Sequence, residues 1–553
     1  MSSRSRGVPP GLLLVAAAGL AVPANLPSCH HTDPAPAGEP SRAPAPALGP
    51  EAGGAAAPQS SGRAQELYER QCAACHGQRG KGDGEAAYLL SPAPRDFTSA
   101  RFRLVSTANG VPTHEDLVAT LKRGMPGSAM PPWEWMPAQD LDGLADYVLE
   151  LAYEGRVAAL LDWAAQEDEE LGEEEAREIA RSKLAPGDLV DVGAAAPGDP
   201  ATLQEGRRLY VKWCAPCHGA DGTGSGVEEQ WNEDGSPTGP RDFTAGIFKG
   251  GTTHTDLVRR LLAGMPGSPM PQATLDDSSQ AALIAAYVQS LIKPGAMQKV
   301  QQRRQILTAA ATRAALPREP ADPAWSAAPR AYVALMPLWW RDDRVEGVVF
   351  QALHDGRELA LRLSWEDAAQ DDVLLGQPVF SDSAAIQLSA DADPPLFAMG
   401  DAGRPVEIAL WKAAWELDRE GARDVEDHFP HTMLDNRADV PEEMRSLFVT
   451  ARAVGNRQAA AERPTPAETL SAEGFGTLAP LGPERSCWSA RAAWADGFWD
   501  VVFTRSLAAS AAGEVALSPG ATVHVAFAVW DGAAGDRDGQ KSISIWHQLE
   551  IAR

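Results

Sequence analysis

The sequence predicts a multidomain protein: two all-α domains followed by an all-β antiparallel sandwich. Three observations carry that expectation. A set of short strings recurs in the same order in two stretches, 63–155 and 201–295. Within those stretches apolar residues follow helical spacing, as Leu141, Leu144, Ala145 and Val148 do. From about residue 323 the spacing changes to alternation, broken by Asp, Gly and Pro.

The most informative repeated string is Cys72-Ala-Ala-Cys75-His76-Gly77, which returns as Cys214-Ala-Pro-Cys217-His218-Gly219. The pattern C-x-x-C-H is the attachment site of a c-type haem. Two thiols spaced this way face one porphyrin edge, and the adjacent imidazole reaches the iron. The same cysteine spacing also occurs in zinc sites and redox dithiols. Here its surroundings recur with it. Arg95-Asp96-Phe97-Thr98 returns as Arg241-Asp242-Phe243-Thr244, and Thr113-His114-Glu115-Asp116 as Thr253-His254-Thr255-Asp256. Gly124-Met125-Pro126-Gly127-Ser128-Ala129-Met130-Pro131 returns as Gly264 to Pro271. An internal duplication accounts for all of these together.

The elements follow in chain order. Arg4 and Arg6 precede the apolar stretch Gly11–Val22, which reads as an export signal over 1–29 and is too short to span a bilayer. Leu26-Pro27-Ser28-Cys29 is similar to a bacterial lipobox, although Pro27 departs from it; the resemblance implies lipidation of Cys29, with plain cleavage or an uncleaved anchor as the alternatives. Residues 30–62 are rich in Ala, Pro, Gly and Ser and read as a tether. In the first repeat, Gln65–Gln71 leads helically into the cysteines and Leu141–Leu151 closes the domain. Thr113-x-x-Asp116 and Thr253-x-x-Asp256 are helix-start patterns, which makes His114 and His254 capping-region or propionate-side residues rather than ligands. The acidic stretch 156–200 reads as a solvated helical connector. Ala281–Leu291 closes the second repeat, and 296–322 is a polar helix followed by a Pro-rich linker.

The C-terminal part, 323–553, has one-faced strands at Leu359–Trp365 and Val523–Val529 and holds eleven of the 16 tryptophans. The net charge of −26 argues against nucleic acid or anionic headgroups as partners. It suits a carrier with a basic docking face. Four of the six cysteines belong to the haem motifs, so no disulfide framework is indicated.

Residues 63–155 and 201–295 resemble class I cytochrome c domains. In that family a methionine from a late loop closes the sixth iron position. The resemblance therefore points to Met130 and Met270, with Met125 and Met265 as competitors. A soft thioether raises the potential by stabilising Fe(II). Arg95 and Arg241 suit haem propionates through their guanidinium forks, or surface ion pairs.

The strings Phe397-Ala398-Met399-Gly400-Asp401, Val525-Ala-Phe-Ala-Val-Trp530-Asp531-Gly532 and Gly539-Gln540-Lys541-Ser542 resemble the haem-binding domain related to the γ subunit of ethylbenzene dehydrogenase. That resemblance implies a β-sandwich holding a b-type haem between Met399 and Lys541. His354, His428, His431, His524 and His547 are spare ligands.

Taken together, the expected protein is an exported electron-transfer subunit with two covalent c haems and one b haem. It has no bond-making site of its own. It relays electrons between a respiratory oxidoreductase and a periplasmic carrier. The resemblance implies a molybdenum enzyme with an iron–sulfur subunit as the oxidoreductase; a quinol oxidoreductase is the other candidate. The rivals are a dihaem peroxidase-like enzyme and a dihaem cytochrome whose sandwich binds carbohydrate or protein.

Overall fold

The computed structural model describes residues 62–275, 277–374, 378–397, 399–417, 465–482, 487–509 and 513–553. The expected signal, Cys29, the tether up to residue 61, His428 and His431 lie outside them. Among the described residues no helix is long and apolar enough to cross a membrane.

Each repeat is helical. The first comprises Gly62–Gln71, the single turn Ala73–His76, His114–Arg123 and Ala138–Gln166. The second comprises Pro200–Trp213, Ala215–His218, His254–Ala263 and Ser278–Leu291, plus a small hairpin pairing Gln230–Trp231 with Pro237–Thr238. Thr113 and Thr253 form full capping boxes with Asp116 and Asp256, so His114 and His254 are the first helical residues. Gly124 and Gly264 end these helices at φ +67° and +65°. A Cβ there would lie 2.5 Å from the Pro131 backbone or 2.8 Å from that of Gln272, which only glycine avoids.

The acidic connector is more ordered than its charge suggests. The closing helix does not stop near Leu151 but runs on to Gln166, and a further helix, Glu173–Lys183, folds back on it. Tyr153 and Val157 continue the apolar spacing, and Ala176 and Ala180 cover them in a small core. Arg177 spans Glu154 and Glu173 at 2.7 and 3.1 Å.

The C-terminal domain begins earlier than expected. The stretch read as linker contains the short helix Ala296–Val300 and the strand Ile306–Ala311. That strand pairs in parallel with His547–Ile551 on one side and Gly347–His354 on the other. The sheet is therefore mixed rather than wholly antiparallel. A parallel pairing needs a long crossover, and the connection from Ala311 to Gly347 supplies one. One hydrogen-bonded path of strands then folds over a common core. Trp365 and Trp499 from one half meet Trp411 from the other, with ring centroids 6.2 and 5.0 Å away.

The strands at Glu358–Glu366 and Thr522–Trp530 form as the alternation predicts. Ser383–Ser389 and most of Thr522–Trp530, however, are buried on both faces. Their second face, with Ala385, Ala526 and Ile408, is covered by Phe397, Met399 and Trp546. The first repeat docks on the same side. Leu396 joins its helical core, and Ser91 exchanges backbone hydrogen bonds with Leu338 and Trp340 at 2.9 and 2.7 Å.

Candidate haem sites

The local geometry of the motif follows from a single helical turn. Cys72 accepts from the backbone N–H groups of Cys75 and His76 at 3.1 and 2.9 Å. Residues three and four apart share a helix face. Cys72, Cys75 and His76 accordingly line one cavity of ≈ 190 Å³. Cys214, Cys217 and His218 line a second of ≈ 330 Å³. The next residues, Gly77 and Gly219, turn the chain away at φ +76° and +75°. Their carbonyls accept the hydroxyls of Tyr68 and Tyr210, both at 2.8 Å.

The histidines are held from behind by the repeated Arg-Asp-Phe-Thr strings. His76 Nδ1 lies 3.0 Å from the carbonyl oxygen of Arg95. A carbonyl only accepts, so Nδ1 carries the proton and Nε2 keeps its lone pair. Burial pushes this imidazole down to about 4, so it is neutral at physiological pH. The Phe97 ring stacks on it at 4.5 Å and 20°. His218 stacks on Phe243 at 4.4 Å and 22°, and its pKa too is lowered by burial. Its Nδ1 faces the Arg241 carbonyl in a weaker contact, short of a full hydrogen bond.

The late loops present both methionines of each repeat to the cavities: Met125 and Met130 to the first, Met265 and Met270 to the second. Met125 N–H donates to the Met130 carbonyl at 3.0 Å, and Met265 N–H to that of Met270 at 3.1 Å. Ser128 and Ser268 tie each loop further by donating to the Met125 and Met265 carbonyls. Met130 and Met270 also pack against the helical cores of their repeats.

These surroundings fit a tetrapyrrole. Leu117, Leu121, Leu144 and Val148 give the first cavity apolar walls. Burial drives the Cys72, Cys75 and Cys214 thiols up to about 12, 11 and 12, unlike reactive dithiols. The two cysteine pairs sit in separate cavities, so they do not share one ion. Among the described residues the acidic trio Asp367, Asp382 and Asp531 is the group that converges as an ion cage would.

His114 and His254 line neither cavity. Each points its Nε2 at a backbone carbonyl, of Asp142 at 3.2 Å and of Val192 at 3.0 Å. Arg95 lines the first cavity and Arg241 the second. Arg95 lies 4.0 Å from Asp234, and Arg241 donates to the Gly127 carbonyl at 2.9 Å.

In the C-terminal domain, Lys541 Nζ lies 4.8 Å over the Trp530 ring and donates to the Asp538 carbonyl at 3.2 Å. Desolvation holds its amine down to about 8. Met399 sits at φ +70° and packs in the cluster that includes Trp530 and Ala528. Of the spare histidines among the described residues, His524 meets Asp391 and Arg304, while His547 and His354 accept the Gln305 and Gly356 N–H groups at Nδ1 and keep a buried Nε2 without a partner.

Sequence reasoning missed the stacking phenylalanines and the two tyrosines. Both left a signal, since Phe97 lies inside a repeated string and Tyr68 and Tyr210 precede their cysteines at equal spacing. It also missed that Leu338, Leu396, Phe397, Phe475 and Ile543 of the C-terminal domain close the first cavity, for which the sequence carries no signal.

Comparison with known proteins agrees with this division. A family model for cytochrome c oxidase, cbb3-type, subunit III matches residues 60–148 and 201–288, and one for ethylbenzene dehydrogenase matches 322–542. A putative respiratory nitrate reductase heme subunit of Haloferax mediterranei is 26% identical over 241 residues, covering 42% of this chain and 68% of its own length. The chlorate reductase subunit gamma of Ideonella dechloratans is 26% identical over 265 residues, covering 46% and 88%. A chain of a reducing HAO-like protein complex of Kuenenia stuttgartiensis is 30% identical over 42% of this chain and 98% of its own, with a TM-score of 0.34. Cytochrome c-type domains imply haem binding. The chain is a fusion of tandem cytochrome c-type domains with an ethylbenzene dehydrogenase-related, γ-subunit-like domain.

Proposed function

We propose that this chain is an exported electron-transfer subunit holding two covalent c-type haems and one b-type haem. In this reading Cys72, Cys75, Cys214 and Cys217 form the thioethers. His76 with Met130, and His218 with Met270, would hold the two c-haem irons. Met399 and Lys541 hold the third iron. The observation that carries the reading is His76, neutral, with its free Nε2 facing a cavity also walled by a cysteine pair and a methionine. A haem held by these residues would supply one-electron chemistry.

The protein's own residues do the remaining work. The Arg95 carbonyl and the Phe97 ring hold the imidazole in one tautomer and orientation. The apolar walls exclude water, and the methionine thioether favours the reduced ion. Phe397, which lines the first cavity and packs against the same cluster as Met399, supports an order for the relay in which electrons would pass between the Met399–Lys541 site, the first cavity and the second.

The nitrate and chlorate reductase relatives, named as haem and gamma subunits, support a respiratory oxidoreductase as the partner. The ethylbenzene dehydrogenase resemblance favours a molybdenum enzyme with an iron–sulfur subunit. A soluble carrier takes the other end of the relay. The reading places the protein in the periplasm or on the outer face of the envelope, anchored by lipid at Cys29.

A pyridine haemochrome assay on the purified chain tests this. Two c haems and one b haem are expected, with Lys541→Ala losing the b signal alone. Absence of covalent haem in protein made with a competent maturation system would overturn the reading. Two c haems without b would remove the third site.

A further inference from the structure

The walls of the two cavities share two residues, and both are cations. Arg103 and Lys249 each line the first cavity and the second. They occupy equivalent places in the repeats: Phe102-Arg103 follows Arg95 at the spacing at which Phe248-Lys249 follows Arg241. The matching phenylalanines stack in matching ways, Phe97 on Phe102 and Phe243 on Phe248. Reciprocal bonds hold the two strings together. Arg260 of the second repeat donates to the Arg103 carbonyl at 3.0 Å, and Arg123 of the first donates to the Lys249 carbonyl at 3.1 Å.

This places four cations, Arg95, Arg103, Arg241 and Lys249, around the boundary between the cavities. The acids beside them are few. Asp234 lies 4.0 Å from Arg95, is half exposed and acts on Arg103 from a distance, as Asp342 acts on Arg241. Among the described residues, neither the Arg103 guanidinium nor the Lys249 ammonium has a hydrogen-bond or ion-pair partner. The Nε atoms of Arg103 and Arg241 are buried without an acceptor. Burial and the three arginines together hold Lys249 well below the ordinary lysine range. A chain with net charge −26 has carboxylates to spare, yet supplies almost none here. Buried charges persist where they are paired. The missing counterions are anionic and arrive in both cavities.

We infer that Arg103 and Lys249 form a shared seat for the carboxylates of the two tetrapyrroles, so that the haems meet propionate edge to propionate edge across the boundary between the repeats. The inference rests on the two-haem reading above. Arg95 and Arg241 each serve one cavity, whereas the shared pair acts on both. The two haems then form one electrostatically coupled unit, each feeling the same cations.

The test is a spectroelectrochemical titration of the holoprotein, with the haem count taken on the same sample. Carboxylates seated beside Lys249 keep it protonated, so Lys249→Gln removes a positive charge that disfavours Fe(III). Both c-haem midpoint potentials should fall, each by about a tenfold change in the oxidised-to-reduced ratio, or ~59 mV for one electron. Arg103→Gln should do the same, while Arg95→Gln should move mainly one wave. A shift confined to one wave in both Lys249→Gln and Arg103→Gln, or in neither wave, overturns the shared seat. If Lys249→Gln fails to retain haem, the charge-keeping Lys249→Arg decides: retention with near-native potentials supports the seat, and loss overturns it. A wild-type count other than two c haems overturns the two-haem reading instead.

Discussion

Asp367 offers the sharpest test of the electrostatics of the C-terminal domain. Its carboxylate, 5% exposed, lies in a trio with Asp382 and Asp531 whose oxygens are within 4.8 Å of one another. Burial pushes the Asp382 carboxyl up to about 6, tempered by N–H bonds from Gly532, Asp371 and Trp499 at 2.8, 2.7 and 2.9 Å. Asp367 Oδ2 has no partner. Burial, then the Asp382 charge, push its carboxyl from 3.8 up to about 7. The folded state therefore holds this proton more tightly than the unfolded chain does. That stabilising contribution is full below pH 3.8 and is lost as the pH rises to 7. A shift of roughly three units corresponds to about 4 kcal/mol.

Asp367→Asn removes the charge, and its amide donates where the carboxylate was repelled. At pH 8 the variant should be more stable by about 2–4 kcal/mol, raising the melting temperature of this domain by roughly 4–16 °C. At pH 5 the gain should shrink to a fraction of that. Thermal melts followed by tryptophan fluorescence report on this domain, which holds eleven of the 16 tryptophans. An equal gain at both pH values, or none at pH 8, would refute the reasoning. So would marked stabilisation of the wild type by added calcium, because the trio would then be serving an ion.

The remaining predictions concern ligation and packing. Met130→Leu should lower one c-haem potential and admit carbon monoxide to that iron, while Met125→Leu leaves both properties nearly unchanged; the opposite pattern would move the ligand to Met125. Tyr68→Phe removes the hydroxyl that satisfies the Gly77 carbonyl and should cost the first repeat about 1–2 kcal/mol in denaturant titration, with Tyr210→Phe doing the same in the second. A loss below the scatter of the measurement in both would show that the bond is dispensable. Arg505→Met strands Glu407, whose side chain is fully buried against it and also accepts from Trp488 at 2.6 Å. A loss of about 3–5 kcal/mol is expected, largely recovered in the double variant with Glu407→Leu.

What could be read directly from the sequence lies within a few residues of chain. The C-x-x-C-H turn, the threonine–aspartate capping boxes and the alternation at Glu358–Glu366 depend on backbone period alone, and each forms where the pattern puts it. The duplication was legible because whole strings recur. Where reading failed, the cause was a distant partner. The connector after Leu151 looked solvated because its covering helix could be recognised only once Ala176 and Ala180 met Tyr153 and Val157. Ile306–Ala311 looked like linker because its neighbours, His547–Ile551 and Gly347–His354, come from opposite ends of the domain.

The sequence by itself determined which groups are available to haem: two thiol pairs, two following imidazoles and two late methionines in each repeat, each in a short string. Only the tertiary structure decided what surrounds them. It placed the Arg95 carbonyl behind His76, brought Arg103 and Lys249 to a common wall, and closed the first cavity with Phe397. The physical reason is the range of the forces concerned. Helical turns and caps are set by bonds between near neighbours, whereas buried charge and cavity walls depend on the path of the whole chain.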